Sequence, residues 1–500
     1  NKIGVACVTA GPGATNAIPG LAEAFVDSSP IIVLSGQVEY NHTTYGTKLK
    51  KIRTFGTAEI NILPIVKPLT KYCEILKNPK NVRYILEKAF YLAQEGRPGP
   101  VWIDVPLDIQ KKKINIKNLK KFNHPRVKIF KSTNIKKVDK IISFLKNSKR
   151  PLIIAGNGVK QSNSSKILYN LIKEFKIPTM TSRLSNDIYS HDEKYILGLA
   201  GIKGSRYCKQ IMEEADIVLS LGCRLAPQLV GHNFNVFKNA KVISIDIEND
   251  ELIKKGCKID LTINENIIKF IPILQKSLRK IKLKPFTSWA KKCEIIKKNN
   301  PMINSSYKKN PIDLYFFMHK IDKSTNNRHI LVTDAGSNYY AGGQVWHFTK
   351  GQKEITSGTN AAMGLTIPLA IGAAIAQPSK QVFAVTGDGS LELNIQELKT
   401  ISHYKLNIKL FVINNGGYVS MHKWQDNIGG RRLDTPEDTG DGTLNLKNIS
   451  KAFDLNYYRI SNYKKITNDL KIIKLNNKPT FIEVMTDKKQ KIYNAISDET

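Results

Sequence analysis

Gly387-Asp388-Gly389-Ser390 and, further on, Ile413-Asn414-Asn415 decide how this chain is read. The stretch leading into the first motif, Gln381-Val382-Phe383-Ala384-Val385-Thr386, is apolar and β-branched, the pattern of a buried strand. Leu410-Phe411-Val412 leads into the second in the same way. Between them, Leu391 to Leu398 carries apolar residues at helical spacing, so the unit reads strand, helical crossover, strand. Asp388 and Asn415 then sit at the ends of two parallel strands, where open α/β sheets place ligands. A carboxylate oxygen, an amide oxygen and nearby backbone carbonyls suit Mg²⁺, which takes few protein ligands and shares its shell with phosphate oxygens. The competing reading is a pair of Gly/Asn turns without a ligand. A lone Gly-Asp-Gly is common in α/β turns; the double asparagine after a second apolar strand is what favours the metal.

The bulk numbers fit a large globular protein. Five hundred residues, 41% hydrophobic and 24% charged, imply two to four domains around a sizeable core. No run of 18 apolar residues marks a membrane span. No signal peptide is evident, but the chain begins Asn1-Lys2-Ile3-Gly4 without a methionine, so its true start is expected to lie upstream. Lys and Arg total 77 against 42 acidic residues, a formal charge of +35. The basic residues are spread along helix faces and linkers, so they read as solvated lysines with an affinity for anionic ligands rather than as a nucleic-acid surface. Cys7, Cys73, Cys208, Cys223, Cys257 and Cys293 form no CxxC pair, which argues against a zinc site or a disulfide framework and for a reducing, cytoplasmic setting.

Three α/β segments follow from the alternation of apolar strands and helical runs. The first, residues 1–120, ends in the turn and strand Arg97-Pro98-Gly99-Pro100-Val101-Trp102-Ile103-Asp104. The second, residues 134–285, contains strand 151–155 running into the turn Gly156-Asn157-Gly158, and ends in a basic linker at 276–284. The third, residues 300–500, carries the Asp388 unit, preceded by a strand entering Asp334-Ala335-Gly336-Ser337-Asn338 and by a glycine- and alanine-rich helix at 361–376. The expected fold class is α/β, with three doubly wound parallel-sheet domains.

Several motifs now agree in order: Val8-Thr9-Ala10-Gly11-Pro12-Gly13-Ala14-Thr15-Asn16, Leu34-Ser35-Gly36-Gln37-Val38, Arg97-Pro98-Gly99-Pro100, Met363-Gly364, Gly387 to Ser390, Asn394-Ile395-Gln396-Glu397-Leu398, Asn414-Asn415 and Trp424-Gln425. Along nearly its whole length the chain resembles the acetolactate synthase large subunits, which are thiamine-diphosphate (ThDP) enzymes. The resemblance implies a pyrimidine-binding domain, a central Rossmann-like domain and a diphosphate-binding domain, with the coenzyme held between the first domain of one subunit and the third of another. A homodimer or homotetramer follows, with no membrane or nucleic-acid partner. The implied activity is ThDP- and Mg²⁺-dependent decarboxylation of a 2-oxo acid such as pyruvate and carboligation to a second 2-oxo acid, a step of branched-chain amino acid biosynthesis.

The same resemblance assigns roles. Asp388, Asn415 and the carbonyl of Gly417 would bind Mg²⁺. Gly387, Gly389 and Ser390 would face the diphosphate, Gly389 and Ser390 through backbone N–H groups and Ser390 also through its hydroxyl; Ser337 and Asn338 stand where the family has a Gln-His pair. Met363 matches the apolar residue that wedges beneath the coenzyme, its alternative being an ordinary core methionine of a glycine-rich helix. Gly11, Pro12, Gly13, Thr15 and Asn16 would shape the pyrimidine pocket. Trp424 matches a tryptophan associated with acceptor choice.

Departures from the pattern accompany these matches. The family's catalytic glutamate lies before the position of Asn1, and neither Glu23 nor Glu59 corresponds to it, which favours an N-terminally truncated sequence. The family's Phe-Gln-Glu reads Thr57-Ala58-Glu59, and its substrate-contacting methionine falls on Ser420. Of the flavin-linked motif only Gly222 and Arg224 survive, which leaves FAD doubtful. His403 reads as a surface residue, His422 lies near the expected pocket mouth, and Arg431-Arg432 reads as a solvated loop pair. Two alternatives stay open: another ThDP-dependent 2-oxo acid decarboxylase or lyase, for instance in sugar or polysaccharide biosynthesis, and a basic nucleic-acid-binding or scaffold protein on a degenerate ThDP fold.

Overall fold

β-branched and aliphatic residues dominate the strand segments, and among the described residues these segments pair only in parallel. A computed structural model of the protein describes residues 3–49, 51–125, 132–429, 432, 442 and 444–496. The chain divides into two compact units, residues 1–130 and 131–500.

In the first unit, β1 (Gly4–Val8), β2 (Ile31–Gln37), β3 (Tyr72–Ile75) and β4 (Val101–Pro106) form one parallel sheet in the order β1-β2-β4-β3. β4 carries the core, with Val101, Trp102 and Ile103 fully buried. A polar chain runs through this interior. The Trp102 indole N–H donates to Ser35 Oγ at 2.8 Å, and the Ser35 hydroxyl donates to Asp104 Oδ1 at 2.5 Å. Asp104 also accepts from Gln37 Nε2 and the Tyr45 hydroxyl, and burial pushes its carboxyl up to about 6.

The second unit holds two further parallel sheets. One consists of β5 (Pro151–Ala155), β6 (Thr179–Thr181), β7 (Ile196–Leu199), β8 (Ile217–Leu221), β9 (Lys241–Asp246) and β10 (Leu261–Asn264), ordered β10-β9-β8-β5-β6-β7. The other consists of β11 (His329–Thr333), β12 (Lys353–Thr356), β13 (Gln381–Gly387), β14 (Ile408–Asn414), β15 (Asn456–Ile460) and β16 (Thr480–Met485), ordered β12-β11-β13-β14-β16-β15. Their central strands are buried along their length, as parallel sheets covered on both faces require. In the second sheet the chain steps from β11 outward to β12 and then back past β11 to β13, so the winding reverses between β11 and β13. The loops beyond the ends of β11, β13 and β14 therefore open the crevice where such sheets bind ligands.

Three local expectations need correction. Residues 276–284 are not a linker throughout: the helix Ile267–Lys280 runs through Lys276, burying Leu274 and Leu278 and leaving its lysines to solvent. The expected helix at 361–376 begins only at Thr366, because Gly364 is held at φ +81° and the Thr366 N–H is taken by Asp334. The crossover at 391–398 is broken: a helix covers Asp388–Glu392, Asn394 leaves helical geometry, and a second helix begins at Leu398. The Asn394 side chain donates to Gly364 O at 2.9 Å, a tertiary bond that overrides the local helical pattern. Among the described residues no helix is long and apolar enough to cross a membrane.

One buried ion pair joins the two sheets of the second unit. Arg183, just after β6, grips Glu354 of β12 with both terminal guanidinium nitrogens, Nη2 to Oε1 at 2.6 Å. Glu354 also accepts from the Trp346 indole at 2.9 Å, and Arg183 lies over the Tyr339 ring. Arg183→Ala would leave Glu354 buried and unpaired. It is expected to destabilise this unit by about 3–5 kcal/mol, read as a lower midpoint of its urea transition, and Arg183→Met with Glu354→Leu should recover most of the loss.

Candidate functional site

Gly387 ends β13 and Asn414 ends β14, and the two strands are adjacent, Gly387 pairing with Ile413. Asp388 thus projects from one strand tip toward the segment Asn415-Gly416-Gly417 beyond the other. Its Oδ2 accepts three successive backbone N–H groups, from Asn415 (3.0 Å), Gly416 (3.0 Å) and Gly417 (3.1 Å). Three consecutive amides can turn toward one oxygen only if the chain curls through left-handed geometry. Gly416 and Gly417 supply it at φ +80° and +101°, where a side chain would be strained. Burial pushes the Asp388 carboxyl above its ordinary range, and the backbone donors pull it back.

The remaining oxygen of Asp388 faces a more unusual arrangement. One terminal atom of the Asn415 amide lies 3.2 Å from Asp388 Oδ1 and 3.0 Å from the Gly417 carbonyl oxygen. With nitrogen there, the amide donates to both. With oxygen there, three oxygens converge with no proton between them, which is favourable only around a cation. Octahedral Mg²⁺ with bonds of about 2.1 Å sets neighbouring ligand oxygens about 3 Å apart. The donor set and spacing therefore fit Mg²⁺. Above Gly387 there is also room for an anion: a Cβ there would find nothing nearer than Asn338 Oδ1 at 4.0 Å. A shallow cleft adjoins Asp388, Gly389, Gly417 and Tyr418.

The two asparagines do different work. Strand alternation turns neighbouring side chains to opposite faces. Asn414 Nδ2 donates to Glu483 Oε1 at 2.6 Å, tying β14 to β16, while Asn415 faces Asp388.

The Ser390 hydroxyl is engaged within the protein: it donates to Asp334 Oδ2 at 2.5 Å and accepts the Gly364 N–H at 2.8 Å. The Gly389 N–H is likewise turned, to its neighbour Asp388 Oδ1 at 3.0 Å. Asn338 Nδ2 donates to Val385 O at 3.0 Å, fixing the start of the helix Gly336–Val345 to β13. Ser337 Oγ faces Ser420 Oγ at 3.3 Å, so two small hydroxyls meet across the crevice. Met363 lies in the turn before Thr366–Ala376 and is 36% exposed, so it is not a core methionine of a helix.

Other expected residues are placed less tightly. Trp424 sits on the helix Val419–Asn427, its side chain lying outside what is described, and Arg431 is outside the described residues altogether. Arg432 pairs with Asp426, and His403 is exposed against Tyr404. In the first unit Gly11 precedes the short helix Pro12–Asn16 and backs onto the Ala58 carbonyl; Pro12 and Asn16 are exposed, and Gly13 lies against Thr9. Glu59 is a buried staple that accepts from Thr44 and Phe55 in the same loop system. The sequence motifs assign Asp334 no role, although an acidic residue at the end of an apolar strand with a glycine close behind is the same kind of local signal as Asp388-Gly389.

Three protein-family models match the chain, each a domain of the thiamine pyrophosphate enzymes: the N-terminal TPP binding domain at residues 1–58, the central domain at 138–274 and the C-terminal TPP binding domain at 334–484. The acetolactate synthase large subunit of Lactococcus lactis is 31% identical over 497 residues, covering 99% of this chain and 83% of that protein. The chain belongs to the thiamine pyrophosphate enzyme family. A probable acetolactate synthase large subunit of Methanocaldococcus jannaschii is 32% identical over 505 residues, 97% of this chain and 82% of that protein, and the Porphyra purpurea large subunit is 28% identical over 508 residues.

The adjacent asparagines give this thiamine pyrophosphate enzyme a built-in control. Asn415→Ala is expected to weaken Mg²⁺-dependent ThDP binding at least about tenfold, measured by calorimetric titration, with little change in thermal unfolding. Asn414→Ala should do the reverse, lowering the melting temperature and sparing coenzyme affinity.

Proposed function

We propose that this thiamine pyrophosphate enzyme decarboxylates pyruvate and joins the resulting two-carbon unit to a second 2-oxo acid, as an acetolactate-synthase-like carboligase. The observation that carries the reading is the meeting of Asp388, Asn415 and the Gly417 carbonyl at two adjacent strand tips. Bound ThDP supplies an electron sink that lets a 2-oxo acid lose carbon dioxide. The chain's own residues hold and orient. Asp388, Asn415 and Gly417 would carry the Mg²⁺ that neutralises the diphosphate, and the open space over Gly387 would take the diphosphate oxygens. Met363, exposed in its turn, offers an apolar rest for the coenzyme. Gly11, Pro12, Gly13 and Asn16 would form the pyrimidine wall, and Trp424 the acceptor side.

We read the active assembly as a homodimer or a tetramer built from it. The helix Thr366–Ala376, Thr-Ile-Pro-Leu-Ala-Ile-Gly-Ala-Ala-Ile-Ala, is apolar on every face, yet Gly372 and Ile375 are exposed. A helix of that kind is normally covered, and a second copy is the cover this reading supplies. Sedimentation equilibrium showing only monomer at micromolar concentration would contradict it. Flavin stays doubtful in this reading, since only Gly222 and Arg224 of the flavin-linked motif survive.

The facing hydroxyls of Ser337 and Ser420 favour a second reading, in which the same centre serves a different 2-oxo acid as a decarboxylase or lyase. Incubation of the full-length protein with ThDP, Mg²⁺ and pyruvate separates the two. The first reading predicts acetolactate. An aldehyde product would favour the second, and coenzyme binding without pyruvate turnover would overturn the first.

A further inference from the structure

Asp334 is a fully buried carboxylate at the end of β11, and no lysine, arginine or histidine is paired with it among the described residues. Burying an ionisable group without an opposite charge is expensive unless hydrogen bonds compensate. Here they come from neutral donors. Oδ1 accepts the Ala335 N–H at 2.7 Å; Oδ2 accepts the Ser390 hydroxyl at 2.5 Å and the Thr366 N–H at 3.3 Å, with the Thr386 hydroxyl at 3.5 Å. Those donors come from the loop after β11, the end of β13 and the residues after it, and the helix that follows Met363.

The arrangement has a direction. With Asp334 ionised, the carboxylate only accepts hydrogen bonds, so the Ser390 hydroxyl gives its one proton to it. A lone pair of the same oxygen is then left toward Gly364, whose N–H it accepts at 2.8 Å. The other face of Gly364 is also held, its carbonyl accepting Asn394 Nδ2 at 2.9 Å. Gly364 sits at φ +81° with Leu393 Cβ and Asn394 Nδ2 too close to admit a side chain, so the turn has little freedom to shift. Met363 is the next residue back, and it is the one that stays exposed.

We propose that Asp334 is a positioning residue, acting through the Ser390 hydroxyl to lock the Met363-Gly364 turn at the height where Met363 meets the coenzyme. The proposal rests on the reading that ThDP lies over Met363. It removes the Ser390 hydroxyl from the diphosphate contacts and makes it an internal strut.

The test uses the full chain with Ser390→Ala, Asp334→Asn, Met363→Ala and the double variant Ser390→Ala with Met363→Ala. Hydrogen exchange of the amides at 361–366 is followed without coenzyme, the affinity for ThDP with Mg²⁺ by calorimetry, and kcat with pyruvate. Ser390→Ala is expected to speed exchange of the Gly364 amide by about tenfold or more and to lower kcat about tenfold, with coenzyme affinity changed less than about threefold. Because both residues act through one turn, the double variant should be no slower than the slower single variant. Asp334→Asn should match Ser390→Ala; should it fail to fold, the Ser390 and Met363 variants still decide. Loss of coenzyme affinity in step with kcat, with exchange unchanged, would make the hydroxyl a diphosphate ligand and overturn the role, as would additive losses in the double variant. A parent chain that takes up no ThDP overturns the underlying reading as well, whereas a chain that binds it with Gly364 exchange unaltered by Ser390→Ala overturns the positioning role alone.

Discussion

Three consecutive backbone N–H groups turned onto one carboxylate oxygen, those of Asn415, Gly416 and Gly417 onto Asp388, hold this site together. The contact ties the tip of β13 to the tip of β14 and leaves the second oxygen of Asp388 directed at the Asn415 amide and the Gly417 carbonyl. Without the carboxylate, the three amides would lose a shared acceptor in a half-buried place. Without the two left-handed glycines, the chain could not curl to reach it. The same geometry that satisfies the backbone also sets Asp388 Oδ1 and the Gly417 carbonyl on either side of the Asn415 amide, the place proposed above for the cation.

Around that centre the sheet order does the rest. The reversal of winding between β11 and β13 brings the loops after β11, β13 and β14 to one edge. Asp334 from the first and Ser390 from the second meet there, and the turn bearing Met363 is gripped between Ser390 and Asn394. The proposed metal cradle and the proposed apolar rest would therefore belong to one hydrogen-bonded framework. A rigid support of this kind suits chemistry in which the protein mainly positions a reactive cofactor.

Much of this was legible in the sequence. Apolar runs ending in Gly387-Asp388 and Asn414-Asn415 marked the two strand tips, because a parallel strand buried on both faces leaves a strong composition signal. What could not be read were features set by distant partners. The helical spacing at 391–398 is real, but Asn394 is pulled out of the helix by the Gly364 carbonyl. The lysines at 276–284 resemble a linker by composition, yet Leu274 and Leu278 bury the other face of a helix there. The direction of the Ser390 proton depends on Asp334, far away in sequence, and local pattern has no means of showing it.

Crystals grown with ThDP and Mn²⁺ in place of Mg²⁺, measured for anomalous scattering, test the central claim most directly. The account predicts one strong peak about 2.1 Å from Asp388 Oδ1, Asn415 Oδ1 and the Gly417 carbonyl oxygen, with diphosphate density over Gly387. A metal bound elsewhere, with the Asn415 amide nitrogen donating to Asp388 and Gly417, would contradict it.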